Sequence, residues 1–227
     1  FAHFEGGLRK PGIDEGATLV LYTPDEQGWF WYIPLPDNQV SVGIVGPPKT
    51  LFSRPGQAKA TFDESIQQCT GIRRRLESAK RVSDIHTTSD FSFLSTHCAG
   101  NGWVLVGDAF AFLDPIYSSG VFLALKSGEL AADTIGEAFK NGNFHADQLS
   151  KFESTISTGL GIIRRLIYAF YSKGFHFGRF VRQFPQHRKG LIDILVGNVF
   201  KEDMSGLLKS LEKICPLSDL LSLETKD

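Results

Sequence analysis

The 227-residue chain carries 24 basic and 25 acidic residues, a formal net charge of −1 that leaves no basic excess for a nucleic-acid partner. Hydrophobic residues make up 42% and charged residues 22%, the balance of a globular protein with a real core. Nineteen Phe, five Tyr and three Trp point to a Phe-rich core or a large apolar pocket, while three scattered cysteines (Cys69, Cys98, Cys215) argue against a disulfide framework or zinc site and fit a reducing, cytoplasmic compartment.

The first residues, Phe1-Ala2-His3-Phe4-Glu5, do not form a signal peptide and include no initiator Met. They read as the interior of a longer protein. No apolar run approaches the length of a membrane span. Residues 17–47 predict an antiparallel meander. Ala17–Tyr22 is strand-like and Pro24–Gly28 turns. Trp29–Leu35 is an aromatic strand, Pro36–Asn38 turns again, and Gln39–Val45 is the next strand, broken at Pro47-Pro48.

Residues 57–79 predict one helix, with Phe62, Ile66, Cys69 and Leu76 on one side. Arg73-Arg74-Arg75 at its end either caps the last turn or clamps a phosphate. Residues 81–94 predict strand, and His97–Gly102 a loop with a strong Asn101-Gly102 turn signal.

The most informative stretch follows. An apolar strand, Trp103-Val104-Leu105-Val106, leads into Gly107-Asp108-Ala109-Phe110-Ala111-Phe112-Leu113-Asp114-Pro115-Ile116-Tyr117-Ser118-Ser119-Gly120-Val121. A strand end delivers one carboxylate to a crevice, and small residues open a helix. The helix start offers unpaired N–H groups and partial positive charge. Asp108 would repel a phosphate but can accept hydrogen bonds from sugar-alcohol hydroxyls. That pairing suits a flavin dinucleotide. Asp114 reads as a residue that caps or orients the loop.

A helix from about Gly120 to Phe139 places Val121, Leu125, Leu130, Ala131 and Ile135 towards a sheet, and Asn141-Gly142 stops it. Residues 146–172 predict a second long helix with a stripe of Phe152, Ile156, Leu160, Ile163, Ile167 and Phe170. Gly159-Leu160-Gly161 inside it is not a GxGxxG, since Arg164 takes the last position and no strand precedes it. The tail reads as shorter helices broken at Gly190 and Pro216. Its aromatic and basic stretch, Phe170 to Phe184 with Phe175, Phe177, Phe180, Arg179 and Arg182, reads either as a packing face or as a lid or docking surface. Ser118-Ser119 lacks the GxSxG elbow of a nucleophile, and the six histidines have no ligand spacing, so no metal is expected.

The 107–121 segment resembles the second flavin-contacting motif of the FAD-dependent monooxygenases, a group that includes hydroxylases, geranylgeranyl-type reductases and flavin-dependent halogenases. Asp-Pro-Ile-Tyr-Ser-Ser-Gly-Val is closest to the phenol- and pyrrole-directed halogenases. Trp29-Phe30-Trp31-Tyr32-Ile33-Pro34 fits the WxWxIP pattern of the same branch, in the right order. The resemblance runs from Gly6 to about Phe139.

It implies an α/β protein, α+β in this stretch: part of an FAD/NAD(P)-binding Rossmann-like domain, an antiparallel substrate-domain sheet and a C-terminal helical region. Residues 1–97 would form mostly substrate-binding sheet with one helix, 98–141 the flavin-contacting strand–loop–helix, and 142–227 the helical region. Asp108 would bond the ribityl chain of FAD and Pro115 would pack near the ring. Ser119, Gly120 and Val121 would bring N–H groups to its pyrimidine edge, where reduced flavin carries negative charge.

A chloride would sit on backbone amides around Ser118, Ser119 and Gly120 and be oxidised to hypochlorous acid. Trp29, Trp31, Ile33 and Pro34 would wall substrate from flavin, with sheet packing the alternative for the two Trp residues and an equal reading for Trp31. The implied activity is halogenation or oxygenation of a phenolic or pyrrolic molecule, free or carrier-protein-tethered. Reduced flavin would come from a reductase or NAD(P)H. A geranylgeranyl-reductase-like enzyme and a catalytically incompetent binding module are the alternatives.

The sequence departs from the family pattern. The N-terminal GxGxxG is not among these residues, and neither is the region that carries the family's catalytic lysine, so the catalytic residue is unassigned. The chain therefore reads as the C-terminal portion of a flavoprotein of roughly 350 to 450 residues. Tyr117 stands where tryptophan-directed halogenases carry Glu, and Phe122 where a His is common.

Overall fold

The computed structural model describes residues 1–89, 91–172, 174–200 and 203–215. The chain divides into two compact units, Phe1–Ser89 and Asp90–Asp227.

The first unit is built on strands β1 (Ala2–Glu5), β2 (Leu19–Tyr22), β3 (Trp29–Pro34) and β4 (Gln39–Val45). A one-turn helix α1 (Pro48–Leu51), α2 (Ala58–Gln68), α3 (Thr70–Leu76) and the short strand β5 (Lys80–Arg81) follow. The sheet order is β2-β3-β4-β1-β5, with every neighbouring pair antiparallel. The expected meander is present.

Alternation along β3 sends Phe30 and Tyr32 to one face and Trp29 and Trp31 to the other. The Phe30 face holds the core: Ala2, Phe4, Phe30, Tyr32, Val40 and Val42 cluster with Phe62, Ile66, Cys69, Ile72 and Leu76 from the helices. On the opposite face the Trp29 and Trp31 rings lie 6.0 Å apart. Trp31 sits across from Gly43 in the ladder and its indole Nε1 donates to Ser41 Oγ at 3.1 Å.

Two expectations change here. The single helix over 57–79 is two helices, because Cys69 leaves the helical region with ψ of 96° and tucks its side chain into the core. Phe62, Ile66, Cys69 and Leu76 share a buried side as expected, joined by Ile72. The strand over 81–94 shrinks to Lys80–Arg81 and, in the second unit, Phe93–Leu94. The hydroxyl of Ser83 accepts the His3 N–H at 2.9 Å, so a side chain takes that ladder position and interrupts the pairing, which resumes only as the exchange of backbone bonds between Phe1 and His86.

The second unit begins with β6 (Phe93–Leu94), β7 (Ala99–Gly100), β8 (Trp103–Val104) and β9 (Ala111–Phe112). β7 and β8 pair through the Asn101-Gly102 turn, and β6 pairs with β9, both antiparallel. Cys98, next to β7, is fully buried; burial, with a smaller contribution from Glu153, pushes its thiol up to about 12. Helices complete the unit: α4 (Gly120–Asn141), α5 (Ala146–Leu149), α6 (Glu153–Tyr171), α7 (Phe177–Gln183), α8 (Arg188–Leu195) and α9 (Ser205–Ile214).

The helix expected over 146–172 is interrupted at residues 150–152. α5 packs on α4, β7 and β8, whereas α6 packs on α4, α8 and α9, so one straight axis cannot serve both. The predicted stripe of Phe152, Ile156, Leu160, Ile163, Ile167 and Phe170 is buried throughout. Gly190 does not break the tail but lies inside α8, where a Cβ would come within 3.0 Å of Leu207 Cδ1. It permits close helix approach instead. The expected break at Pro216 lies outside the described residues. Phe175 and Phe180 are buried while Arg179 and Arg182 are exposed, which favours packing over a lid for that stretch.

The buried face of α4 shares only Ala131 with the one expected. Leu123, Ser127, Ala131, Thr134 and Ala138 face inward, whereas Val121 is 76% and Leu125 71% exposed. Counting only apolar residues misses this. Ser127 and Thr134 sit on the inner face because each hydroxyl donates to a backbone carbonyl of its own helix, Ala124 and Leu130 respectively.

Candidate cofactor site

The candidate site is a turn, a loop and a helix start, all in the second unit. After β8 the chain stays extended through Val106 (φ −134°, ψ 161°) and then enters a tight 3-10 turn over Gly107–Ala109. Gly107 has φ of 54°, and a Cβ there would lie 3.0 Å from the Ala124 Cβ of α4. Only glycine combines that backbone conformation with that approach. Its N–H donates to Ser127 Oγ at 2.8 Å. The turn is thereby fixed to the flank of α4 and holds Asp108 as an exposed carboxylate next to the helix.

The loop then runs through a second 3-10 turn at Pro115–Tyr117. Asp114 caps it: Oδ1 accepts the Ile116 N–H at 3.0 Å, and Oδ2 accepts the Tyr171 hydroxyl at 2.8 Å. The Tyr117 hydroxyl donates to the Leu166 carbonyl at 3.0 Å. Ser118 is left-handed (φ 53°, ψ 34°) and the buried Ser119 returns to right-handed geometry before α4 begins. A right–left–right backbone sequence turns successive N–H groups into a concavity suited to an anion.

The helix start is open. Its first bond runs from Leu123 N–H to the Ser119 carbonyl, so the N–H groups of Gly120, Val121 and Phe122 precede any intrahelical acceptor. A Cβ built at Gly120 meets nothing within 4 Å. The 22-residue helix adds its partial positive charge at this end. The site therefore combines an external hydroxyl acceptor at Asp108 with open amides and positive potential at residues 119–122, the Ser118 N–H being taken by the Pro115 carbonyl at 2.9 Å. Those properties fit a flavin, whose ribityl hydroxyls seek an acceptor and whose reduced ring carries negative charge.

The tryptophan halogenase family model matches residues 17–178. The chain belongs to the tryptophan halogenase family. Among relatives of this family chain, a 1H-pyrrole-2-carbonyl-[peptidyl-carrier protein] brominase from Pseudoalteromonas luteoviolacea is 32% identical over 201 residues, covering 88% of this chain and 49% of the relative. The corresponding chlorinase from Pseudomonas fluorescens is 28% identical over 196 residues, covering 86% and 43%. The solved structure of the flavin-dependent brominase Bmp2 superposes with a TM-score of 0.80 at 28% identity, over 99% of this chain and 55% of that one. The halogenase-family chain thus spans about half the length of the curated relatives it matches. The mixed helix-and-sheet class read from the sequence agrees with these neighbours.

Sequence reasoning missed Ser127 and Tyr171, which hold the site from behind. Ser127 was legible as one step of the 123-127-131-134-138 period. Tyr171 gave no local signal, because its partner Asp114 is 57 residues away. Of the arginines read as either cap or phosphate clamp, Arg73 donates to the Gln67 carbonyl in the last turn of α2, a capping contact, and Arg75 donates to the Gly71 carbonyl one turn back in its own helix. Among the described residues no helix is long and apolar enough to cross a membrane, and no group of three or more His, Cys, Asp or Glu could hold a metal.

Burial raises the Asp114 carboxyl above its ordinary value, opposed by the hydrogen bonds from Tyr171 and Ile116. Its charged form therefore costs the folded state more than the unfolded one. That cost is full above the raised folded value, falls as pH drops through it, and is gone below the ordinary value of 3.8. The unfolding free energy of the wild type minus that of Asp114→Asn should rise as pH falls from about 7 to about 4. Paired denaturation curves across that range check it, and a flat difference rules it out.

Proposed function

We propose that this chain carries the flavin-ring and halide half of a flavin-dependent halogenase that acts on a pyrrolic or phenolic molecule, free or tethered to a carrier protein. The observation that carries the reading is the open start of α4, with left-handed Ser118 before it and the Asp108 carboxylate fixed against the same helix. Asp108 would hold the ribityl chain and Pro115 would lie near the ring. The N–H groups of Ser119, Gly120 and Val121 would face its pyrimidine edge. The backbone of Ser118, Ser119 and Gly120 would take the halide. FAD, reduced by a partner reductase or by NAD(P)H, supplies the oxidising chemistry when bound. Trp29, Trp31, Ile33 and Pro34 are the candidates for the wall that keeps substrate from the ring.

Three features support the substrate class. Two relatives are named for pyrrole-2-carbonyl carriers, and both span most of this chain. Tyr117 replaces the Glu of tryptophan-directed members. A net charge of −1 agrees with a small-molecule rather than a nucleic-acid partner. Buried, unpaired cysteines are in keeping with the cytoplasm.

The test uses the full-length protein with FAD, a flavin reductase, NAD(P)H and bromide, offered a pyrrole-2-carbonyl carrier conjugate and a set of phenols. Mass spectrometry should find bromine in the product. A product that gains oxygen and never bromine would sink the halogenase reading.

A further inference from the structure

The loop that presents Ser118–Gly120 is held from α6, by two bonds about one and a half helical turns apart. One joins Asp114 Oδ2 to the Tyr171 hydroxyl at 2.8 Å, the other the Tyr117 hydroxyl to the Leu166 carbonyl at 3.0 Å. The rings add packing between the same segments. Phe170 meets Tyr117 edge-on with centroids 6.3 Å apart, and Tyr171 meets Phe170 edge-on at 5.3 Å. Phe177, at the start of α7, closes on Tyr117 from another side at 6.2 Å.

The two bonds bracket the 3-10 turn Pro115–Tyr117, whose end forces Ser118 into the left-handed region. Asp114 does two things at once: one oxygen shapes the turn through Ile116 N–H, and the other ties it to α6. A left-handed non-glycine residue carries backbone strain and persists where its surroundings over-determine it. Here the surroundings are α6.

We propose that Asp114, Tyr117 and Tyr171 form a latch between α6 and this loop, and that the latch sets the affinity of the Ser119–Val121 amides for the flavin ring edge. They are positioning residues that touch the loop rather than the cofactor. The proposal rests on the flavin reading above. Opening the latch would leave the loop to sample conformations in which its amides diverge, and apparent affinity falls with the fraction of molecules that remain competent.

Tyr171→Phe removes one hydroxyl and keeps the ring contact with Phe170. Tyr117→Phe does the same at the other end, and Asp114→Asn weakens both bonds made by that side chain. In the full-length protein each should raise the FAD dissociation constant roughly tenfold, the scale of one charge-assisted or buried hydrogen bond. Melting temperature should move by no more than about 2 °C for the two Phe variants. Hydrogen exchange without added flavin should speed up across residues 114–122 and stay unchanged in the remainder of α4 and in α8.

Unchanged flavin affinity in all three variants overturns the latch. So does faster exchange spread over the whole second unit, which would mark these residues as general packing. Wild-type protein that binds no FAD overturns the proposed function instead. The exchange data then decide the latch alone: acceleration confined to 114–122 supports it, and an unchanged pattern refutes it.

Discussion

Asp108→Ala in the full-length protein is expected to weaken FAD binding by about 10- to 100-fold, with little change in stability. The magnitude follows from hydrogen bonds to a charged acceptor, worth about 1.5–3 kcal/mol when the partner hydroxyl is left unpaired. The small stability change follows from exposure: Asp108 projects from the turn, while the turn itself is held by the Gly107 N–H bond to Ser127 Oγ. Asp108→Asn should lose less because it keeps an acceptor, although its neutral amide oxygen binds a hydroxyl more weakly than the carboxylate does. Flavin fluorescence titration measures both. A dissociation constant for Asp108→Ala within twofold of wild type would remove this residue from the cofactor site.

The other large effect belongs to the first unit. Gly43→Val should cost roughly 2–3 kcal/mol and lower the melting temperature by roughly 5–10 °C. A Cβ at position 43 would lie 2.1 Å from the Trp31 indole, which covers that glycine in the cross-strand pair. The ring must swing away, and doing so pulls its Nε1 from Ser41 Oγ. Val favours strands, so a loss cannot be charged to backbone preference. Trp31→Leu should restore part of the stability in the Gly43→Val background, because a smaller side chain leaves room for the new one. Strict additivity of the two changes in thermal melts would mean that the ring does not depend on the glycine.

These two sites were not equally legible in the sequence. Asp108 and the Ser119-Gly120 helix start could be read directly, because a strand end, a Pro-anchored loop and a run of small residues are local signals. The meander over 17–47 was legible for the same reason: period-two alternation between turn clusters. Gly43 was not, since its role depends on which residue lies opposite, and register is decided by the whole sheet. The split at Cys69 and the break at 150–152 escaped a periodicity reading because the buried stripe continues across both. What changes there is the helix axis, which depends on the partners each segment packs against. The inner face of α4 was misread through its two hydroxyl residues, which a hydrophobicity count treats as outward. Tyr171 was invisible for a simpler reason, as a tertiary hydrogen bond across 57 residues leaves no mark on either neighbourhood.

The burial of the cysteines has a practical consequence. Cys69, Cys98 and Cys215 are at most 5% exposed, and the Cys98 thiol is lifted to about 12. Burial also raises the Cys215 thiol. Thiol-directed reagents need an accessible thiolate, so folded protein offers them poor targets at neutral pH. A cysteine introduced on the exposed flank of α4, at Leu125, would therefore be the preferred attachment point for a fluorophore or spin label. The native thiols would serve as an internal alarm, since their modification would report that the fold had opened.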